Sequence, residues 1–273
     1  MNNIEDLKNI AKQIRLGILD AVYSAQSGHP GGALSVADIM AVLYFNEMNV
    51  NENEPNMENR DRFVMSKGHA SAAFYATLAN RGFFSTEELK SFRNINSNLQ
   101  GHPDKNKVAG VDMTTGSLGQ GLSVANGMAI AGKLQNKDYR VYCILGDGEI
   151  EEGQVWEAAM AAAHYKLDNL CVIVDNNNLQ IDGEIGKVMS SYPIDEKFAS
   201  FGFEVMNIDG HDIDEIMKAF EVARSIKGKP VAIIAKTVKG KGVAFMENQA
   251  GWHGKAPSLE QYEEAVKCIK GEV

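Results

Sequence analysis

Arg140-Val-Tyr-Cys-Ile-Leu-Gly-Asp-Gly148 and Leu170-Cys-Val-Ile-Val-Asp-Asn-Asn-Asn178 are the stretches on which the reading of this chain turns. Residues 140–145 and 170–174 are short apolar runs that read as buried strands. Gly146-Asp147-Gly148 turns the chain at the end of the first, and residues 151–166 have helical spacing. A carboxylate and a side-chain amide thus reach the carboxyl edge of a parallel sheet together. Ligands bind at that edge in open α/β folds. A hard divalent cation such as Mg2+ or Ca2+ takes oxygen ligands, and magnesium completes its shell with phosphates of a bound molecule. Asp147 supplies charge, Asn177 a neutral oxygen, and a backbone carbonyl just beyond could add a third. Gly148 leaves room for a phosphate to meet the main-chain N–H, and the helix that follows points its positive end at the same anion. Gly-Asp-Gly alone is a common turn; the paired strands and the asparagine run give it weight.

The chain has 273 residues, enough for one large α/β domain with a real core. A formal net charge of −9 without a Lys/Arg cluster makes nucleic acid and anionic membrane poor partners. No apolar stretch approaches the length of a bilayer span. Cys143, Cys171 and Cys268 are scattered, two of them in expected core strands. This pattern reads as reduced thiols in a cytoplasmic protein, not as a disulfide frame or a metal site. The start, Met1-Asn-Asn-Ile-Glu-Asp-Leu7, does not read as a signal peptide.

Ile4, Leu7, Ile10, Ala11, Ile14, Ile18 and Leu19 predict a first helix that Ser27-Gly-His-Pro-Gly-Gly32 ends. A second helix is expected over 36–47 with Ser35 as its cap. A first strand is expected over 62–66, helices over 70–81, 87–92 and 119–135, and a long functional loop over 94–115. Strands recur around Val141, Val172, Phe203 and Val231, with helical patterns at Glu151 and Ile213. A loop over 240–257 precedes a last helix over 259–269. The alternation predicts a three-layer αβα fold with a mostly parallel sheet, as one module over residues 1–273.

Six histidines occur. His29, His69, His102 and His253 lie in turn-like segments beside glycine, and imidazole is well suited to moving protons near neutral pH. A lone loop histidine is usually solvated and idle; several at one site are not. His164 reads as a packed structural histidine, and His211 as part of a turn before a helix capped by Asp212. Glu149, Glu151 and Glu152 would repel a phosphate, and are read as complementing a helix N-terminus.

The pieces Ser27-Gly-His-Pro-Gly31, Arg60-Asp-Arg-Phe-Val-Met-Ser-Lys-Gly-His69, Gly101-His-Pro-Asp104, Thr114-Thr-Gly-Ser-Leu-Gly-Gln-Gly121, Gly146-Asp-Gly-Glu-Ile-Glu-Glu-Gly153, Asp175-Asn-Asn-Asn-Leu-Gln-Ile-Asp-Gly183 and Trp252-His-Gly-Lys-Ala-Pro257 occur in this order across nearly the whole chain. Together they resemble the N-terminal, diphosphate-binding part of transketolases. The resemblance implies thiamine diphosphate held through Mg2+ or Ca2+ by Asp147, Asn177 and the Leu179 carbonyl. It places His69 and His253 by the cofactor's phosphates, with Gly148 and Asn177 close by. Gly116, Ser117 and Leu118 would lie along the cofactor, and Ile181 would pack against it. Ser117 stands where the family commonly has proline. His29 and His102 would orient the hydroxyls of a sugar donor, and His29 and His253 would assist deprotonation and carbon–carbon cleavage. Glu152 matches a position at a subunit contact, in a carboxylate network linking two active sites.

In this family a second domain supplies a glutamate to the cofactor's aminopyrimidine ring, aromatic side chains that stack it, and basic groups for the acceptor phosphate. The chain ends after the first domain, so the resemblance implies one half of a split transketolase. The pyrimidine-binding and C-terminal domains are then expected on a separate chain, in an α2β2 assembly that transfers a two-carbon ketol unit between sugar phosphates. A piece of a longer enzyme would read similarly; Met1 and the charged finish favour a natural chain. Rivals are a split transketolase specialised for an unusual sugar, half of another thiamine diphosphate enzyme, and a non-catalytic cofactor-binding protein.

Overall fold

A computed structural model describes residues 2–272. Helix α1 (Ile4–Ala25) opens with a capping box between Asn3 and Asp6 and buries the face carrying Leu7, Ala11, Ile14 and Ile18. Short helices α2 (Pro30–Leu34) and α3 (Ala37–Val42) follow, and α3 runs into a wide turn over Leu43–Glu47. Strand β1 (Arg62–Met65) leads to α4 (Ser71–Arg81). After a long loop come α5 (Gln120–Leu134), β2 (Val141–Gly146), α6 (Gly153–His164) and β3 (Leu170–Asn176). A small hairpin of β4 (Leu179–Gln180) and β5 (Gly183–Glu184) precedes α7 (Ile185–Val188) and α8 (Ile194–Ser200). Strand β6 (Glu204–Asp209), helix α9 (Ile213–Ser225), β7 (Val231–Lys236) and α10 (Leu259–Lys270) complete the chain.

The main sheet has five strands in the order β1-β2-β3-β7-β6, and every pairing is parallel. Its central strands are apolar up to their carboxyl ends because both faces are covered. Tyr142 and Ile144 of β2 and Cys171 and Ile173 of β3 enter one core, with α1, α3, α4 and α9. Val141, Cys143 and Leu145, with Leu170, Val172 and Val174, enter the other, beneath α5, α6 and α8. The expected three-layer αβα fold is therefore present. Cys143 and Cys171 are buried free thiols of the strands, and no helix among the described residues is long and apolar enough to cross a membrane.

Four local expectations are overturned. The helix expected over 36–47 is divided into α3 and the wide turn, with α2 just before it. Pro30 sits in the first helical turn of α2, where its fixed φ suits a helix start. Ser35 is not the N-cap of the next helix but the C-cap residue of α2, and its buried hydroxyl donates to Asp175 Oδ2 at 2.7 Å. Residues Thr86–Ser91 form 3-10 turns, not an α-helix. His164 is exposed at the end of α6, against the expectation of a packed ring, because α6 buries the opposite side through Val155, Ala158, Ala159 and Ala162.

Candidate functional site

Parallel strands deliver their carboxyl ends to one edge, and the site is built there. β1 leads into Lys67 and His69, β2 into Asp147, β3 into Asp175 and Asn177, and β7 into Thr237 and Lys239. The turn before α2 adds His29, and loops add His102, Gly116, Leu118 and His253. One cleft of about 850 Å³, its open mouth included, is lined by His29, His69, His102, Gly116, Leu118, Asp147, Gly148, Asn177, Leu179, Ile181 and His253. Lys67, Glu149, Gln180 and Lys239 line it too. The rings of His29, His69 and His253 form a triangle with centroids 5.1–5.4 Å apart. Two candidates are not brought in: Ser117 borders a neighbouring hollow, and Glu152 is exposed before α6.

Asp175 is the anchor beneath the site. It is wholly buried and accepts from Lys67 Nζ at 2.5 Å, Ser35 Oγ at 2.7 Å, Asn177 Nδ2 at 2.9 Å and Thr237 Oγ1. A buried carboxylate is tolerated only when paired and hydrogen-bonded in this way. The bond from Asn177 Nδ2 also sets the orientation of that amide. Asn177 Oδ1 in turn accepts from the Leu179 N–H at 3.1 Å.

Asp147 is 2 % exposed and has no cationic side chain in hydrogen-bond contact among the described residues. Its oxygens accept from the Gly148 and Asn178 N–H groups. Burial, and next the charge of Asp175, push its pKa up to about 7. A carboxyl held this far from its ordinary range in a cleft is poised for a cation. The Leu179 carbonyl accepts from the Lys239 ammonium at 3.0 Å, so it already faces positive charge. Asp147, Asn177 and Leu179 thus offer one charged and two neutral hard oxygens, a donor set that fits Mg2+ or Ca2+ with phosphate oxygens completing the shell. No group of three or more His, Cys, Asp or Glu with metal-site geometry exists among the described residues.

Glu149 apart, the rest of the cleft is cationic or neutral. Burial lowers the Lys239 pKa to about 8, while Asp147 opposes the fall. Burial is also the first cause holding His253 at about 3 and His29 at about 4, with Lys239 acting next on His253 and Arg93 next on His29. His69 and His102 are lowered by burial first, then by Lys67 and Arg93 respectively. All four rings are therefore neutral at pH 7. Sequence reasoning gave no role to Lys67 or Lys239, because burial of a lysine leaves no mark in its neighbours along the chain.

The glutamates differ from expectation. Glu149 does not complement a helix start. It is buried and accepts from Ser66 Oγ, the Gly119 N–H and the Gly146 N–H, tying β1, β2 and the start of α5 together. The Gly148 N–H, expected to meet a phosphate, donates to Asp147 Oδ1 at 2.9 Å. His211 is structural, as expected: Nδ1 meets Asp38 Oδ2 at 2.7 Å and Nε2 accepts from the Val238 N–H at 2.8 Å.

Residues 7–270 match the family model of the transketolase thiamine diphosphate binding domain. The chain belongs to the transketolase family. It is 43% identical to one subunit of the apulose-4-phosphate transketolase of Phocaeicola vulgatus, over 97% of this chain and 94% of that protein. It is 41% identical to the 6-deoxy-6-sulfo-D-fructose transketolase subunit SqwG of a Clostridium species, over 98% and 97%. Human transketolase is 43% identical over 99% of this chain, which spans only 43% of that protein's length. The solved transketolase of Campylobacter jejuni superposes with a TM-score of 0.92 at 40% identity, covering 98% of this chain and 43% of that one. The N-terminal transketolase module read from the motifs is thus present, as is the thiamine diphosphate-binding class of domain.

Proposed function

We propose that this chain, as one diphosphate-binding module over 1–273, is the first subunit of a two-chain transketolase that moves a two-carbon ketol unit from a ketose phosphate to an aldose phosphate. One observation carries the reading: the Asp147, Asn177 and Leu179 oxygens share a cleft with two buried lysines and the neutral rings of His29, His69, His102 and His253.

Asp147, Asn177 and Leu179 O would hold Mg2+ or Ca2+. His69, His253, Gly148 and Lys239 border the space for the diphosphate, and Gly116, Leu118 and Ile181 the space for the rings. Ser117, outside the cleft, contributes through its loop only. When bound, thiamine diphosphate supplies the nucleophilic carbon and the electron sink. The chain's own part is to anchor, to exclude water and to handle donor hydroxyls through His29, His102 and His253, whose neutral state lets them hydrogen-bond without adding charge.

A partner chain would supply the glutamate for the aminopyrimidine and the acceptor phosphate site, in an α2β2 assembly within the cytoplasm. Ile181, Val188, Met189 and Tyr192, exposed apolar side chains close together in sequence after the metal ligands, give that chain a surface to cover. Glu152, exposed just before α6, is proposed as a contact between protomers. The full-length match to two relatives that are themselves transketolase subunits supports the split arrangement. Their names also favour a second reading, a donor or acceptor other than the common pentose phosphates. The test mixes this chain with the product of the neighbouring reading frame, thiamine diphosphate, Mg2+, xylulose 5-phosphate and ribose 5-phosphate. Sedoheptulose 7-phosphate formed only by the mixture supports the proposal. Full turnover by this chain alone refutes the split, and turnover only of branched or sulfonated sugars selects the second reading.

A further inference from the structure

Arg93 borders the histidine cluster and has no part in the reaction as described above. Its backbone lies at φ 59°, in the left-handed region that costs energy for a long side chain. The strain is held by the closed loop that follows, where the Arg93 N–H donates to Leu99 O at 2.8 Å. The guanidinium then forks: Nη1 donates to Ser27 Oγ at 3.0 Å and Nη2 meets His29 Nδ1 at 3.3 Å. Gly101 makes room for it, since a Cβ there would lie 3.0 Å from Arg93 Cζ and 3.1 Å from Nε. Arg93 Nε is buried without a partner among the described residues. The strained backbone and the unpaired Nε are both costs, set against the two contacts that the fork makes.

An arginine side chain has donors and no acceptor. His29 Nδ1 must therefore accept, and the single proton of the neutral ring lies on Nε2. The ring lines the cleft, and its other nitrogen has no hydrogen-bond partner among the described residues. We propose that Arg93 is a positioning residue that locks His29 in the Nε2–H tautomer, so that His29 donates a hydrogen bond to an oxygen of the sugar donor and does not remove a proton from it. The identity of that oxygen as a sugar's rests on the function proposed above; the tautomer does not. A ring with its proton on Nε2 turns no lone pair toward the ligand, and protonation at Nδ1 is opposed by the guanidinium. The hydroxyl proton lost on carbon–carbon cleavage then passes to another acceptor. His102, which lines the same cleft and makes no ring hydrogen bond among the described residues, is placed to take it.

Nitrogen NMR of the histidine-labelled chain tests this, with H29Q assigning the signals. At neutral pH, wild-type His29 should show a pyrrole-type Nε2 and a pyridine-type Nδ1. R93M should give averaged shifts from mixed tautomers, R93K should keep the wild-type pattern, and G101A should mimic R93M by displacing the guanidinium. In the assembly with its partner, R93M should lower kcat roughly tenfold to a hundredfold with little change in KM, and R93K should recover most of it. A pyridine-type Nε2 in the wild type overturns the proposal, as do unchanged His29 shifts in R93M. If R93M does not fold, the wild type and G101A decide. If the wild-type mixture transfers nothing while the nitrogen shifts come out as stated, the proposed function fails and the hold of Arg93 on His29 stands.

Discussion

Replacing Asp147 by asparagine should stabilise the ligand-free chain at alkaline pH while removing its response to metal. The carboxyl is 2 % exposed, and its pKa is raised from 3.8 to about 7 by burial and by Asp175. The folded protein holds this proton more tightly than the unfolded chain does. Stability therefore falls as pH rises between those two values, and the whole cost is borne above pH 7. Three units correspond to roughly 4 kcal/mol at most. Asparagine escapes that cost but offers one acceptor where Asp147 uses two oxygens, for the Gly148 and Asn178 N–H groups. One stranded N–H costs about 1–3 kcal/mol. The net expectation is a gain of about 1–3 kcal/mol for D147N at pH 8.5, and a loss of about 1–3 kcal/mol at about pH 3.5, below both the folded and the unfolded value, where the electrostatic cost has vanished. For a domain of this size each kcal/mol moves Tm by about 2–4 °C, so melting curves in a chelator resolve both signs. Adding Mg2+ with thiamine diphosphate should then raise the wild-type Tm by mass action and leave D147N unmoved. An equal loss for D147N at both pH values would refute the electrostatic argument. A Mg2+-dependent Tm rise in D147N would refute the metal assignment.

Other substitutions probe the frame around the site. E149A strands the Ser66 hydroxyl and the Gly119 and Gly146 N–H groups, and should cost at least about 3 kcal/mol by denaturant unfolding, with E149Q losing less. In G121A the new Cβ would lie 2.8 Å from Ser66 Cα; the clash, about 1–3 kcal/mol, should outweigh the gain in helix propensity of up to about 1 kcal/mol. Because the folded-state values of His29 and His253 are depressed to about 4 and about 3, their contribution is complete above the ordinary histidine value of 6.5 and is lost as pH falls below it. The H29Q/H253Q double variant should accordingly show a shallower decline of Tm between pH 6.5 and 4 than the wild type; a parallel decline would contradict the buried neutral state.

The layered fold was legible in local sequence. Strands covered on both faces are apolar along their buried length, so 140–145 and 170–174 declare themselves, as does the apolar run around Val231. Pro30 is the counterexample: its turn-like neighbours read as a break, yet it opens α2, because proline suits a first helical turn as well as a loop. Ser35 read as a helix cap for the same local reason, and burial beside Asp175 gave its hydroxyl a stronger partner.

The sequence by itself determined the parallel sheet, the arrival of Asp147 and Asn177 at its carboxyl edge and the histidine loops, because hydrophobic period and turn chemistry act between near neighbours. Only the tertiary structure decided what meets what. It drew Lys67 onto Asp175, set Lys239 against the Leu179 carbonyl and seated Arg93 on His29, while it left Ser117 and Glu152 outside the cleft. Charge pairing and desolvation act through space between residues far apart in the chain, and no local pattern records which distant groups the packed layers will bring within reach.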